Sequence, residues 1–165
     1  MWRSILLLYI LLVFDVVYNL AGGRGAFYFA PFLTLQIAAF VGLLKGPSYG
    51  LWWGAAAGFF EELLFVSAGD SFGLTPLVYL WAGWTGGKFF HGRTDPTNPI
   101  VGIFLTFCTL IFALIAAALL GWAYGHPLSM IPLRLTLLRI VTFSIQILLA
   151  PVLLRLLMRF LKVQG

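Results

Sequence analysis

The sequence predicts an all-α polytopic membrane protein, a compact bundle of six transmembrane helices with both termini in the cytoplasm. Three observations predict this. Of 165 residues, 62% are hydrophobic and only 9% are charged, with a mean hydropathy of +1.03; a soluble domain carries about 25% charged residues. The apolar residues fall into six stretches separated by turn residues, each near the roughly 20 residues that a bilayer crossing takes. The basic residues are distributed unevenly between the two sides that those stretches define. Six crossings use roughly 120 residues, so only short loops remain and residues 1–165 form a single integral membrane domain.

The first stretch runs from Ser4 to Leu20 and ends at Ala21-Gly22-Gly23-Arg24-Gly25. Met1-Trp2-Arg3 and the apolar run after it resemble a short signal peptide, but Asp15 interrupts the run and apolar residues continue beyond it, so a retained first helix is expected. The second runs from Phe27 to Leu44 with Pro31 in its first turns, where proline is tolerated. Lys45-Gly46-Pro47 makes a tight connection to the third, Tyr49–Val66. The polar loop Ser67–Gly73 precedes the fourth, Leu74–Phe90. His91–Pro99 is the clearest loop, rich in Pro, Asn, Asp and Gly. The fifth runs from Ile100 to Trp122 and is broken by Gly125-His126-Pro127; the sixth runs from Leu133 to Leu157, with Pro151 as a candidate kink.

With six crossings and a cytoplasmic N-terminus, Arg3, Lys45, Lys88, Arg93, Arg155, Arg159 and Lys162 lie inside, Arg24 and Arg134 lie outside, and Arg139 lies within the sixth stretch. Positive residues are retained on the cytoplasmic side during insertion, and the asymmetry places both ends of the chain on the cytoplasmic side. The net charge of +5 is thereby a topological signal, and no nucleic-acid partner is expected.

Glycine recurs at every fourth residue from Gly42 to Gly58. Gly46 reads as a turn residue before Pro47, so Gly50, Gly54 and Gly58 form the helical stripe. Small residues at four-residue spacing let another backbone approach, which is how helices associate in lipid. The stripe is expected to serve helix packing or a partner's helix, as is Gly83…Gly87 in the fourth stretch. Beyond it stand Glu61 and Glu62, inside an apolar run. Charges there are costly and mark candidate sites. On the predicted topology Asp15, Glu61, Glu62 and Arg139 share the outer half of the bilayer, so Arg139 is expected to pair with Glu62 or Glu61, with Asp15 in the same band.

Catalytic patterns are missing. The Glu61-Glu62 pair resembles the opening of CAAX-prenyl-type membrane proteases, but Val66 stands where that motif has arginine, and neither His91 nor His126 follows a phenylalanine at the required offset of four. Without those groups no water-activating site assembles. The histidines and Cys108 show no metal-ligand spacing. There is no Gly-x-Ser-x-Gly elbow and no phosphate loop. A non-enzyme without a cofactor is expected. Of the six tryptophans, Trp52, Trp53, Trp81 and Trp84 are candidates for interface anchors or for lining a cavity between the third and fourth helices.

From Pro31 to Gly87 the chain resembles the rod shape-determining protein MreD family. In that family a hydrophobic helix leads to a basic residue, Gly-Pro and a glycine-rich helix; here these are Phe32–Leu44, Lys45, Gly46-Pro47 and Gly50–Gly58. Glu62 occupies the family's acidic position four residues after the last glycine, with Glu61 an additional acid. Phe72-Gly73-Leu74, after a loop a few residues longer than usual, then Tyr79 and Gly83…Gly87, complete the match, which covers about a third of the chain. The resemblance implies a non-catalytic role beside MreC in the machinery that positions lateral peptidoglycan synthesis, with RodA, a class B penicillin-binding protein and MreB in the larger assembly. The family fold is also similar to the substrate-binding subunits of energy-coupling-factor vitamin transporters, for which the polar band of Asp15, Glu61, Glu62 and Arg139 would form an outer pocket.

Overall fold

The computed structural model describes residues 33–65, 74–123 and 133–161, together with Leu6, Tyr9, Ile10 and Val13, which are helical and exposed. The remainder of the first predicted helix, including Asp15, lies outside the described residues. Every regular element among the described residues is a helix. These are α1 (Leu33–Lys45), α2 (Pro47–Phe65), α3 (Leu74–Thr85) continuing into a π-helical turn (Gly86–Phe90), α4 (Pro99–Ala123) and α5 (Leu133–Leu161).

The boundaries follow local chemistry. α2 begins at Pro47, two residues before the expected Tyr49, because proline's preset φ and missing N–H suit the first helical position. α4 begins in the same way at Pro99: the Asn98 side chain accepts the Ile100 amide at 3.0 Å, capping a donor with no intrahelical partner. Gly46, at φ +96°, makes the one-residue break between α1 and α2, a conformation open to glycine without strain. α5 continues through Pro151 to Leu161, four residues past the expected end. Proline inside a helix frees one backbone carbonyl and is tolerated where neighbouring groups re-satisfy it.

α1 is the central pillar. Every residue from Thr34 to Leu44 is buried, as expected for a helix that is apolar all round. It touches every other described helix. α2, α3 and the π-helical turn wrap it most closely, and α4 and α5 form a second pair packed on each other and against it. α2 and α3 are antiparallel: Gly50 meets Gly83 and Gly54 meets Tyr79. α4 and α5 are antiparallel too. Gly102 meets Ala150 and Leu154, and residues 124–132 are too few to return along α4, which is about 37 Å long. The core is built on Phe40, Leu35, Val41 and Leu154.

Outside, the described surface is apolar. Trp52 is 74% exposed, and Leu63, Leu77, Ile100, Phe104, Leu148 and Leu156 are all exposed. Buried polar residues, by contrast, include Gln36, Thr106, Gln146 and Glu62. This inverts the arrangement that water selects. Phe143–Leu161 is the one described stretch long and apolar enough to cross a membrane; Leu33–Lys45 and Pro99–Ile115 are shorter apolar helices.

Candidate functional site

Three glycines from three helices meet at one point. A Cβ on Gly50 or on Gly42 would overlap the carbonyl oxygen of Gly83, and a Cβ on Gly83 would overlap that of Gly50. One turn further along α2, a Cβ on Gly54 would overlap the Tyr79 carbonyl oxygen. The π-helical turn extends the junction: Gly86 lies against the Ala39 carbonyl and Gly87 against Pro47. The contacts are backbone to backbone throughout, so only hydrogen fits. Gly50, Gly54, Gly83 and Gly87, expected to pack helices or bind a partner, all meet backbone of this same chain; Gly58 is buried as well. The four-residue spacing crosses the Gly46 break, so Gly42 and Gly50 belong to different helices and converge only through the turn.

The first residue of the loop holds the turn. His91 Nδ1–H donates to the Leu43 carbonyl at 2.8 Å, satisfying one of the four orphan carbonyls that end α1. Its ring lies beside Gly46, about where a side chain there would point. Asp95 orders the loop that follows: its Oδ1 accepts the Thr97 hydroxyl at 2.7 Å and the Thr97 amide at 2.8 Å. The Thr97 hydroxyl first, then its amide, hold the Asp95 carboxyl below its usual value. A loop hydrogen-bonded at these points sets the spacing between α3 and α4.

A polar seam lies between α1, α4 and α5. Gln36 Nε2 donates to Thr106 Oγ1 at 2.8 Å, with both side chains buried. The Thr106 hydroxyl donates in turn to the Gly102 carbonyl at 2.8 Å, which leaves its lone pairs for Gln36. Gly102 faces Ala150. One turn away, on the same buried faces of antiparallel helices, Thr106 therefore stands level with Gln146, which is 3% exposed. Neither polar atom of the Gln146 carboxamide has a hydrogen-bond partner among the described residues. No sequence motif marked these residues; Gln within an apolar run was the available signal.

Glu61 and Glu62, adjacent on α2, diverge by about 100° around the axis. Glu62 turns inward and is 3% exposed, while Glu61 sits half-buried at the margin. Glu62 is fifteen residues from Pro47, about 22 Å along the helix, and Gln36 is nine from Lys45, about 13 Å. The acid and the seam therefore occupy different levels. Arg139 lies in α5 with its side chain outside the described residues. By helical rise its backbone stands about as far from the Lys45 end as Glu62.

The tryptophans do not line a common cavity. Backbone contact between α2 and α3 leaves no width for rings there. Trp52 points outward, Trp53 is buried, and Trp81 stacks edge-on with Trp84 at 5.4 Å and lies 6.5 Å from Phe112 on the outside of α4. Among the described residues no group of three or more His, Cys, Asp or Glu is placed to hold a metal ion. Comparisons with family models, with curated proteins and with solved structures return no match.

Proposed function

We propose that this chain is a non-catalytic scaffold of the bacterial cell-elongation machinery: a six-span inner-membrane protein of the MreD type, N-in and C-in, that binds MreC and supports lateral peptidoglycan synthesis. One observation carries the reading. Gly46-Pro47, Gly50, Gly54, Tyr79, Gly83 and Gly87, several of the residues on which the resemblance rests, meet together with Gly42 and Gly86 in the α1–α2–α3 junction. Glycine is frequent in membrane helices, and a chance match has no reason to be collected at one contact. A junction closed by backbone is rigid, and it leaves the apolar outer faces of the helices for lipid and for partner helices.

The orientation is supported by placement. Lys45, Lys88, Arg93, Arg155 and Arg159 are all exposed and belong to the end of the bundle where α1 and the π-helical turn finish, α4 starts and α5 finishes. A periplasm-active reporter fused to Gly165 is expected to be silent. The partner is tested by mild-detergent purification of the tagged chain from its own cells, followed by native mass spectrometry. An MreC-type single-span protein in stoichiometric amount is the expected result, together with loss of rod shape on depletion. Recovery of paired ATPases and a coupling subunit would overturn the reading in favour of a vitamin-transporter subunit.

A further inference from the structure

We infer that the basic end of the bundle is a docking surface for the phosphate headgroups of anionic phospholipids. The inference rests on the membrane reading above and extends it to lipid selection. Five exposed cations come from four elements at this end: Lys45 ends α1, Lys88 lies in the π-helical turn, Arg93 is in the following loop, and Arg155 and Arg159 are in the last turns of α5. Asp95, the one described acid here, is already turned to the Thr97 hydroxyl and amide. That carboxylate keeps its charge, so the described residues at this end set five cations against one anion.

What selects a lipid over a soluble anion or an acidic protein is the surface beside the charges. Phe89 follows Lys88 and is 56% exposed; Leu156 follows Arg155 and is exposed, as is Val152 one turn earlier; Ile100 is exposed at the start of α4. Lys88 and Arg155 are thus each followed on their own element by an exposed apolar side chain, and the loop that carries Arg93 leads directly to exposed Ile100. A phospholipid presents that pairing, an anionic phosphate joined to acyl chains. Long basic side chains reach along apolar surface to the headgroup level, and clustered Lys and Arg at a cytoplasmic face read anionic lipid. Loop 91–98, held by the Asp95–Thr97 bonds and the His91–Leu43 bond, keeps Arg93 at that level.

The test is native mass spectrometry of the full chain in neutral detergent, titrated with phosphatidylglycerol or with phosphatidylcholine of the same acyl chains. Phosphatidylglycerol is expected to be retained preferentially. Because each basic residue near an anionic surface adds several-fold to binding, Arg155→Gln with Arg159→Gln should lower that retention by about tenfold or more. Lys88→Gln with Arg93→Gln provides a second, independent pair, and both are exposed positions whose replacement should leave the helical circular dichroism unchanged. Equal retention of the two lipids would overturn the inference, as would a preference untouched by both pairs. Displacement of the lipid by millimolar inorganic phosphate would also overturn it, marking a soluble-anion site. Both pairs should still capture the MreC-type partner. Failure of partner capture by the unmodified chain, with lipid preference intact, would count against the scaffold reading alone.

Discussion

Gly50 and Gly83 face each other so closely that a Cβ on either would overlap the other's carbonyl oxygen. The obstacle is backbone on both sides, which has no rotamer to retreat into. Gly50→Ala and Gly83→Ala are each expected to destabilise by about 1–3 kcal/mol or more, at the upper end of overpacking costs. Gly54→Leu should be more damaging still, since it drives a large side chain onto the Tyr79 carbonyl. Gly102→Ala is the control. Its nearest neighbour is the movable Leu154 Cδ2 at 3.3 Å, with the Ala150 oxygen at 3.5 Å, and alanine's better helix propensity, about 1 kcal/mol, offsets the contact. Thermal unfolding in detergent should rank Gly102→Ala well above the other three. Equal behaviour of all four would show that the junction is not closed by backbone.

The Gln36–Thr106 hydrogen bond is a buried side-chain tie between the central helix and α4. Thr106→Val and Gln36→Leu should each destabilise, and their double-mutant cycle should give a coupling of about 0.5–1.5 kcal/mol. Gln146→Leu is expected to be neutral or stabilising, because it removes a buried carboxamide whose polar atoms have no hydrogen-bond partner among the described residues. A marked loss on Gln146→Leu would reveal that the seam draws on that carboxamide.

Acid should act on the loop through Asp95. The fold holds this carboxyl below its usual 3.8 through the Thr97 hydroxyl and then the Thr97 amide. A depressed carboxyl favours the folded state when ionised. Its contribution is therefore present above the unfolded pKa and is lost as pH falls through the folded one. The stability of the unmodified chain relative to Asp95→Asn should be constant above about pH 5 and shrink below about pH 4. Thr97→Val removes the hydroxyl and should shift the onset of that loss to higher pH. A difference independent of pH would show that Asp95 contributes only as an uncharged turn residue.

Arg139 is expected to neutralise Glu62 or Glu61 across the bundle, since the backbone of all three stands at a similar height. Glu62 is the more buried acid, and an isolated charge there is costly. Arg139→Leu should destabilise by several kcal/mol by stranding a carboxylate. Adding Glu62→Leu should recover part of that loss if Glu62 is the partner; Glu61→Leu should do so if Glu61 is. A cycle with no coupling to either acid would sink the pairing and direct Arg139 outward, to headgroups or a partner.

The sequence by itself determined the helical class and the local chemistry that starts and breaks several of the described helices. These depend on neighbours in the chain: unbroken apolar runs, Pro47 and Pro99 at first helical positions, Asn98 before Pro99, and Gly46 at positive φ. It marked the glycines, because small residues at regular spacing have few other uses in apolar helices. The direction each residue faces came only from the tertiary structure. α1 is buried on all sides and carries no apolar stripe to orient it. The Gly46 break placed Gly42 and Gly50 on separate helices, and their meeting at Gly83 depends on α3 arriving from beyond the polar loop. Likewise, which of two adjacent acids turns inward, the Gln36–Thr106 tie across seventy residues and the His91 cap on Leu43 depend on the angles at which helices pack. Those angles are set by contacts between residues far apart in the chain, about which local propensity and periodicity carry no information.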